Sequence, residues 1–165
     1  RWLGSGFFPG GRWRGRMARI IAVGNQMGGV GKTTTTVNLS TALALTGPRV
    51  LLLDMDPQAN ATSAFGVDGN SQENSAYEGL IGDGEMRDIV QAGPLPNLFL
   101  IPSAQRLIGA EIEMVGTEQR EFILRKSLES LREDYEYILI DCPPSLGLLT
   151  INALTAADSG LSPVQ

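Results

Sequence analysis

From residue 19 onward, short unbroken apolar runs alternate with longer stretches of helical periodicity. Residues 20–23, 50–53, 98–101 and 137–140 are four-residue runs of apolar or aromatic character, which predict strands buried on both faces. Between the first two, residues 32 to about 46 predict a helix, with Val37, Leu39, Leu43 and Leu45 among its apolar positions. Gly47-Pro48 stops it. A short helix is expected over 59–65, a polar loop over 66–75, and weak helices within 76–91 broken near Gly82 and Gly84. Amphipathic helices are expected over 104–115 and 118–132, a further helix over 148–157, and the start of another strand over 161–164. Buried strands alternating with helices predict an α/β fold of three layers, a mainly parallel sheet flanked by helices on both faces. Ligands of such sheets bind at the carboxyl ends of the strands.

Three polar clusters fall at those ends. The first is Asn25-Gln26-Met27-Gly28-Gly29-Val30-Gly31-Lys32-Thr33-Thr34, which follows a strand and opens a helix. Glycines let backbone N–H groups turn toward phosphate, and the helix N-terminus adds partial positive charge. Gly28, Gly29, Val30, Gly31, Lys32, Thr33 and Thr34 are the candidate nucleotide-binding residues. Lys32 would set an ammonium against the β- and γ-phosphates, and Thr33 would offer its hydroxyl to Mg²⁺. The pattern G-x-x-x-x-G-K-[ST] is incomplete, since Gln26 stands where its first glycine would be.

The second cluster is Asp54 and Asp56 in LLLDMDPQ, and the third is Asp141, which ends the run YILID before Cys142-Pro143-Pro144-Ser145. Acids beside a phosphate loop can hold Mg²⁺ or orient an attacking water. Asp56 is the candidate for catalysis together with Lys32, and Thr33, Asp56 and Asp141 are the candidate metal ligands. Asp54 and Asp56 also suit a helix cap and a turn before Pro57, and Asp141 suits a cap before a proline turn. Cys142 reads as a small buried residue rather than a nucleophile.

Composition narrows the chemistry. The 165 residues suit one domain. They contain no histidine and one cysteine, which excludes Ser-His-Asp and Cys-His catalysis, a disulfide framework within the chain and a four-cysteine metal site. Phosphoryl transfer, which needs mainly positioned charge, stays open. No apolar run approaches the roughly 18 residues of a membrane span. Residues 1–16 hold four arginines and no acid, with glycine and aromatic residues and no period. They read as a disordered or non-native extension, the alternative being a basic arm touching DNA or membrane. The remaining residues hold nine basic against eighteen acidic side chains, so that body is no obvious nucleic-acid binder.

Four separated blocks agree in order with one family. NQMGGVGKTTTTVNLSTALA, RVLLLDMDPQANATSAFGV, LFLIPSAQRLIGAEIEMV and YEYILIDCPPSLGLLTINALTAAD resemble the ParA/Soj group of deviant Walker A ATPases, relatives of MinD. The resemblance implies a P-loop NTPase fold over 17–165 and a cytoplasmic, ATP- and Mg²⁺-dependent switch for partitioning chromosomes or plasmids. ATP would close a homodimer that binds DNA nonspecifically, and a ParB-like protein would stimulate hydrolysis. Lys32 would be the phosphate lysine, Thr33 the Mg²⁺ ligand, Asp56 the residue orienting water and Asp141 the Walker B acid. Gln26 fits, since ParA-type loops often carry glutamine there.

Two departures qualify this. The family's signature lysine precedes the paired glycines, where this chain has Met27. In the family that lysine reaches the partner's nucleotide, so Met27 predicts weak dimerisation and slow turnover. Family members also continue for roughly another half of this length. The expectation is therefore an N-terminal portion of the domain, with the last strands, adenine contacts and basic DNA surface in the missing part. The competing reading is a nucleotide-binding module with little or no turnover. A MinD-like membrane ATPase would need an amphipathic helix not found here, and a nitrogenase-type iron protein two cysteines. Amidoligases of cobyrinate type share the loop, but DMDPQANAT fits partition ATPases better.

Overall fold

The computed structural model describes residues 17–24, 31–82 and 84–163. The extension over 1–16, the loop residues Met27, Gly28, Gly29 and Val30, and Val164 of the last expected strand lie outside the described residues. The elements are β1 (Arg19–Val23), α1 (Lys32–Leu45), β2 (Val50–Asp54), α2 (Asn60–Ala64), α3 (Ala76–Ile81), α4 (Met86–Ile89), β3 (Gln91–Ala92), β4 (Leu98–Ile101), α5 (Leu107–Met114), α6 (Ile123–Leu128), β5 (Tyr137–Asp141), α7 (Leu148–Ala156) and β6 (Ser159–Leu161).

The strands form one sheet in the order β3-β4-β2-β5-β1-β6. All its pairings are parallel except β3 with β4. Strand β5 lies between β1 and β2, so the chain's first two strands flank its fifth. Asp54 is in register with Asp141, and Val23 with Asp141 on the other side. The ends of β1, β2 and β5 therefore form one shelf.

Period-two alternation divides β2 between two layers. Leu51 and Leu53 join the main core with Ile20, Ile138 and Ile140, against the helices α3 to α7. Val50 and Leu52 face the other way, toward α1 and α2. Four consecutive buried apolar residues, Val50 to Leu53, thus serve two hydrophobic layers, the arrangement that the unbroken apolar run predicts.

Helix α1 departs from expectation in its contact face. Its buried positions are Thr36, Ser40 and Ala44, spaced four apart, while Leu45 is exposed. Small residues let the helix axis lie close to the sheet, and Val37, Leu39 and Leu43 pack half-buried beside that line.

Three other elements differ from the sequence reading, each for a local reason. The helix expected over 118–132 begins at Ile123, after a left-handed Gln119 and a 3₁₀ turn at Arg120–Phe122. The buried Asn152 of α7 takes the Leu124 N–H and donates to the Arg120 carbonyl, which satisfies backbone groups without the earlier helical turn. Strand β6 comes earlier than 161–164, because Asp158 accepts from the Ile20 N–H and donates its own to the Ile20 carbonyl, fixing the register. Strand β3 is only two residues long and leaves no period to read. Among the described residues, no helix is long and apolar enough to cross a membrane.

Candidate functional site

Helix α1 starts at the carboxyl edge of the sheet. Gly31 stands before it with φ 61°, a left-handed conformation that favours glycine. The Gly31 carbonyl accepts from the Thr35 N–H at 2.8 Å, which closes the first turn. Lys32 and Thr33 are thereby aimed across the shelf at β5.

Asp141 is the centre of the site. It is fully buried, and three bonds from three α1 side chains converge on its carboxylate. Lys32 Nζ donates to Oδ1 at 3.0 Å, Thr36 Oγ1 to the same oxygen at 2.9 Å, and Thr33 Oγ1 to Oδ2 at 3.1 Å. Thr36 Oγ1 also bonds the Lys32 carbonyl, one helical turn back, at 2.9 Å. Burial pushes the Asp141 carboxyl above the ordinary carboxylate range, opposed first by the Lys32 charge and then by these donors. Lys32 also lies 3.6 Å from Asp56 Oδ2, so one ammonium faces acids from two strands. Two nearly buried carboxylates around one buried cation carry excess negative charge, a site prepared for more positive charge.

Asp56 is nearly buried just past β2. Its Oδ1 accepts from the Gln58 N–H at 3.0 Å, leaving Oδ2 toward Lys32. Asp54 faces elsewhere. Its Oδ1 accepts from the Asp56 N–H at 3.1 Å, and its Oδ2 from the Thr62 N–H and hydroxyl at 2.9 and 2.7 Å. Asp54 thus fits the turn-holding alternative. The fully buried thiol of Cys142 is pushed up to about 12 by burial, so it stays a neutral packing group.

Thr34 is exposed in the first turn of α1, and its hydroxyl is not one of those on Asp141. Thr36, Thr62 and Ser103 are additions that the sequence reading missed. The signal for Thr36 was present: it follows Lys32 by four residues in one helix, which sets both over the same face.

Burial and the neighbouring Asp141 charge push the Asp54 carboxyl from 3.8 up to about 7, although three donors resist. An acid whose pKa is higher folded than unfolded favours folding by proton uptake. That contribution is fully present below the unfolded pKa and is lost as pH rises through the folded one. The urea midpoint is therefore expected to fall between pH 6 and pH 8, by the equivalent of about 1 kcal/mol. Asp54→Asn should remove most of that difference, and an unchanged pH slope in the variant would show that another group causes it.

Among the described residues, no cluster of three or more His, Cys, Asp or Glu forms a ready metal cage. A hydroxyl and a carboxylate 3.1 Å apart nevertheless suit a hard cation that keeps several waters and takes few protein ligands.

Residues 18–165 match the AAA domain family. Soj of Bacillus subtilis, the sporulation initiation inhibitor protein, is 55% identical over 149 residues. The chain belongs to the ParA/Soj group of that family. The chromosome partitioning protein ParA of Myxococcus xanthus is 49% identical. Each comparison covers 90% of this chain but 59% and 53% of those relatives, so the chain spans little more than half of their length. Among solved structures, cobyrinic acid a,c-diamide synthase of Mycobacterium smegmatis, with bound ATP analog and magnesium, superposes with a TM-score of 0.87 at 41% identity. It covers 89% of this chain, which spans 60% of that one. That synthase thus shares the overall fold of this chain.

Proposed function

We propose that this chain is the nucleotide-binding portion of a ParA-type ATPase, a switch for partitioning chromosomes or plasmids. The observation that carries the reading is the position of Lys32: its ammonium opens α1 and faces Asp141 at 3.0 Å and Asp56 at 3.6 Å. A triphosphate at the helix mouth would meet that ammonium and the partial positive charge of the helix N-terminus.

Thr33, with Asp141 and Asp56, would hold Mg²⁺. When bound, the ion would neutralise phosphate charge. Asp56 would orient a water against the γ-phosphorus. As the new P–O bond forms, the bond to the bridging oxygen breaks, and ADP and phosphate leave. Asp141 would hold the metal shell through its own bond to Thr33.

Greater identity to Soj and ParA than to the cobyrinate enzyme favours partitioning over amide synthesis. That role brings an ATP-dependent homodimer, nonspecific DNA and a ParB-like stimulating protein as partners, in the cytoplasm on the nucleoid. Met27 favours a second reading, a module that binds ATP and turns it over slowly. Calorimetric titration with ATP, with and without Mg²⁺, tests the first claim, and phosphate release on the same sample separates the two readings. Saturable binding tightened by Mg²⁺ is expected. The absence of binding under both conditions would remove the nucleotide site.

A further inference from the structure

Around Asp56 runs a closed ring of buried hydrogen bonds that none of the roles above uses. The Asp56 N–H donates to Asp54 Oδ1. Asp54 Oδ2 accepts from the Thr62 hydroxyl at 2.7 Å, and that hydroxyl accepts from the Ser103 N–H at 2.9 Å. Ser103 Oγ then returns to the Asp56 carbonyl at 2.6 Å. Asp54, Thr62 and Ser103 are fully buried. The Asp56 N–H is therefore fixed by the Asp54 side chain at the end of β2, which Thr62 of α2 braces, and its carbonyl by Ser103 from the segment after β4.

Ser103 is itself pressed into place. A Cβ on Gly69 would stand 1.8 Å from the Ser103 carbonyl oxygen, so the loop after α2 can lie here only with glycine. The Asn70 side chain accepts from the Gln105 N–H, and the Ala76 N–H donates to the Pro102 carbonyl, lacing the same two segments together. A ring built of side-chain donors and acceptors in a dry site is stiff, because each lost bond leaves a buried polar group without a partner.

We propose that Thr62 and Ser103 are positioning residues for Asp56, Ser103 holding its carbonyl directly and Thr62 holding its N–H through Asp54, so that its carboxylate stays directed at the reacting water. This rests on the proposed ATPase reading. It assigns neither residue a contact with nucleotide, so removing either should slow the chemical step and leave ATP binding alone.

The test uses the full chain with Ser103→Ala, Thr62→Val and the conservative Thr62→Ser, which keeps a hydroxyl in the ring. Amide hydrogen exchange of the free chain reads the loop directly. Ser103→Ala and Thr62→Val should lower protection at the Asp56 and Gln58 amides about tenfold, as loss of one such bond implies. The strand amides of Leu52 and Leu139 should stay within about twofold of the parent. Single-turnover phosphate release should fall about tenfold with ATP affinity within about twofold, and Thr62→Ser should restore both readouts. If Thr62→Val does not fold, Ser103→Ala carries the test alone, since the Asp56 carbonyl keeps its bond from the Ala59 N–H. The proposal is overturned by unchanged protection at Asp56 and Gln58, by loss spread evenly over the sheet, or by ATP affinity falling in step with the rate. Failure of the parent to bind ATP would sink the ATPase reading instead, while the exchange pattern still decides whether the ring orders the loop.

Discussion

Lys32→Ala is expected to weaken ATP binding by at least about a hundredfold, since charge-assisted bonds to phosphate contribute roughly 1.5–3 kcal/mol each and several would be lost. The location of the charge gives the effect its size. Lys32 is one-tenth exposed and compensates Asp141 and Asp56 at once. Without it, a triphosphate would approach two nearly buried carboxylates with only backbone dipoles opposed to the repulsion. The same substitution leaves those carboxylates uncompensated, so Asp141 should take up a proton more readily and its pKa should rise further. Loss of binding must therefore be read on a folded variant. Calorimetry measures affinity, and cooperative thermal unfolding followed by circular dichroism reports the fold. A folded Lys32→Ala that binds ATP as tightly as the parent would mean that the triphosphate does not rest on this ammonium.

The fold was legible where buried strands interrupt helical periodicity. The runs at β1, β2, β4 and β5 gave both position and sheet type, because residues such as Leu51 and Leu52 must find apolar partners on opposite faces. Lys32, Thr33, Asp56 and Asp141 were legible for a related reason: each stands where an apolar run ends or a helix begins, and a parallel sheet gathers such positions on one edge. What stayed hidden depends on pairings distant in sequence. Thr62 and Ser103 are ordinary polar residues in their own segments and acquire meaning only when Ser103 Oγ meets the Asp56 carbonyl, 47 positions away. The late start of α6 likewise depends on Asn152, whose side chain supplies bonds that no local pattern announces. The turn-holding role of Asp54 could not be separated from a catalytic one in sequence, because the same alternation that points Asp54 and Asp56 to one side does not say which carboxylate meets Thr62.

Met27→Lys is expected to raise phosphate release at least about tenfold. The argument is one of charge. As the bond to the leaving ADP breaks, negative charge grows on the phosphate oxygens, and one well-directed cation in a dry site commonly changes such rates by factors of a hundred or more. Methionine carries no charge to meet it. The residue's identity comes from the sequence alone, and the resemblance to ParA/Soj members implies that a lysine there acts across a dimer. Two dependences follow. The gain should grow with chain concentration, since a lysine acting in trans works only while two copies meet, and sedimentation in ATP should show more dimer for the variant than for the parent. A gain independent of concentration would mean that the new lysine serves its own nucleotide, which would reject the role in trans but leave the charge argument intact. Equal rates at all concentrations would reject both, and slow turnover in the parent would then need a cause other than Met27.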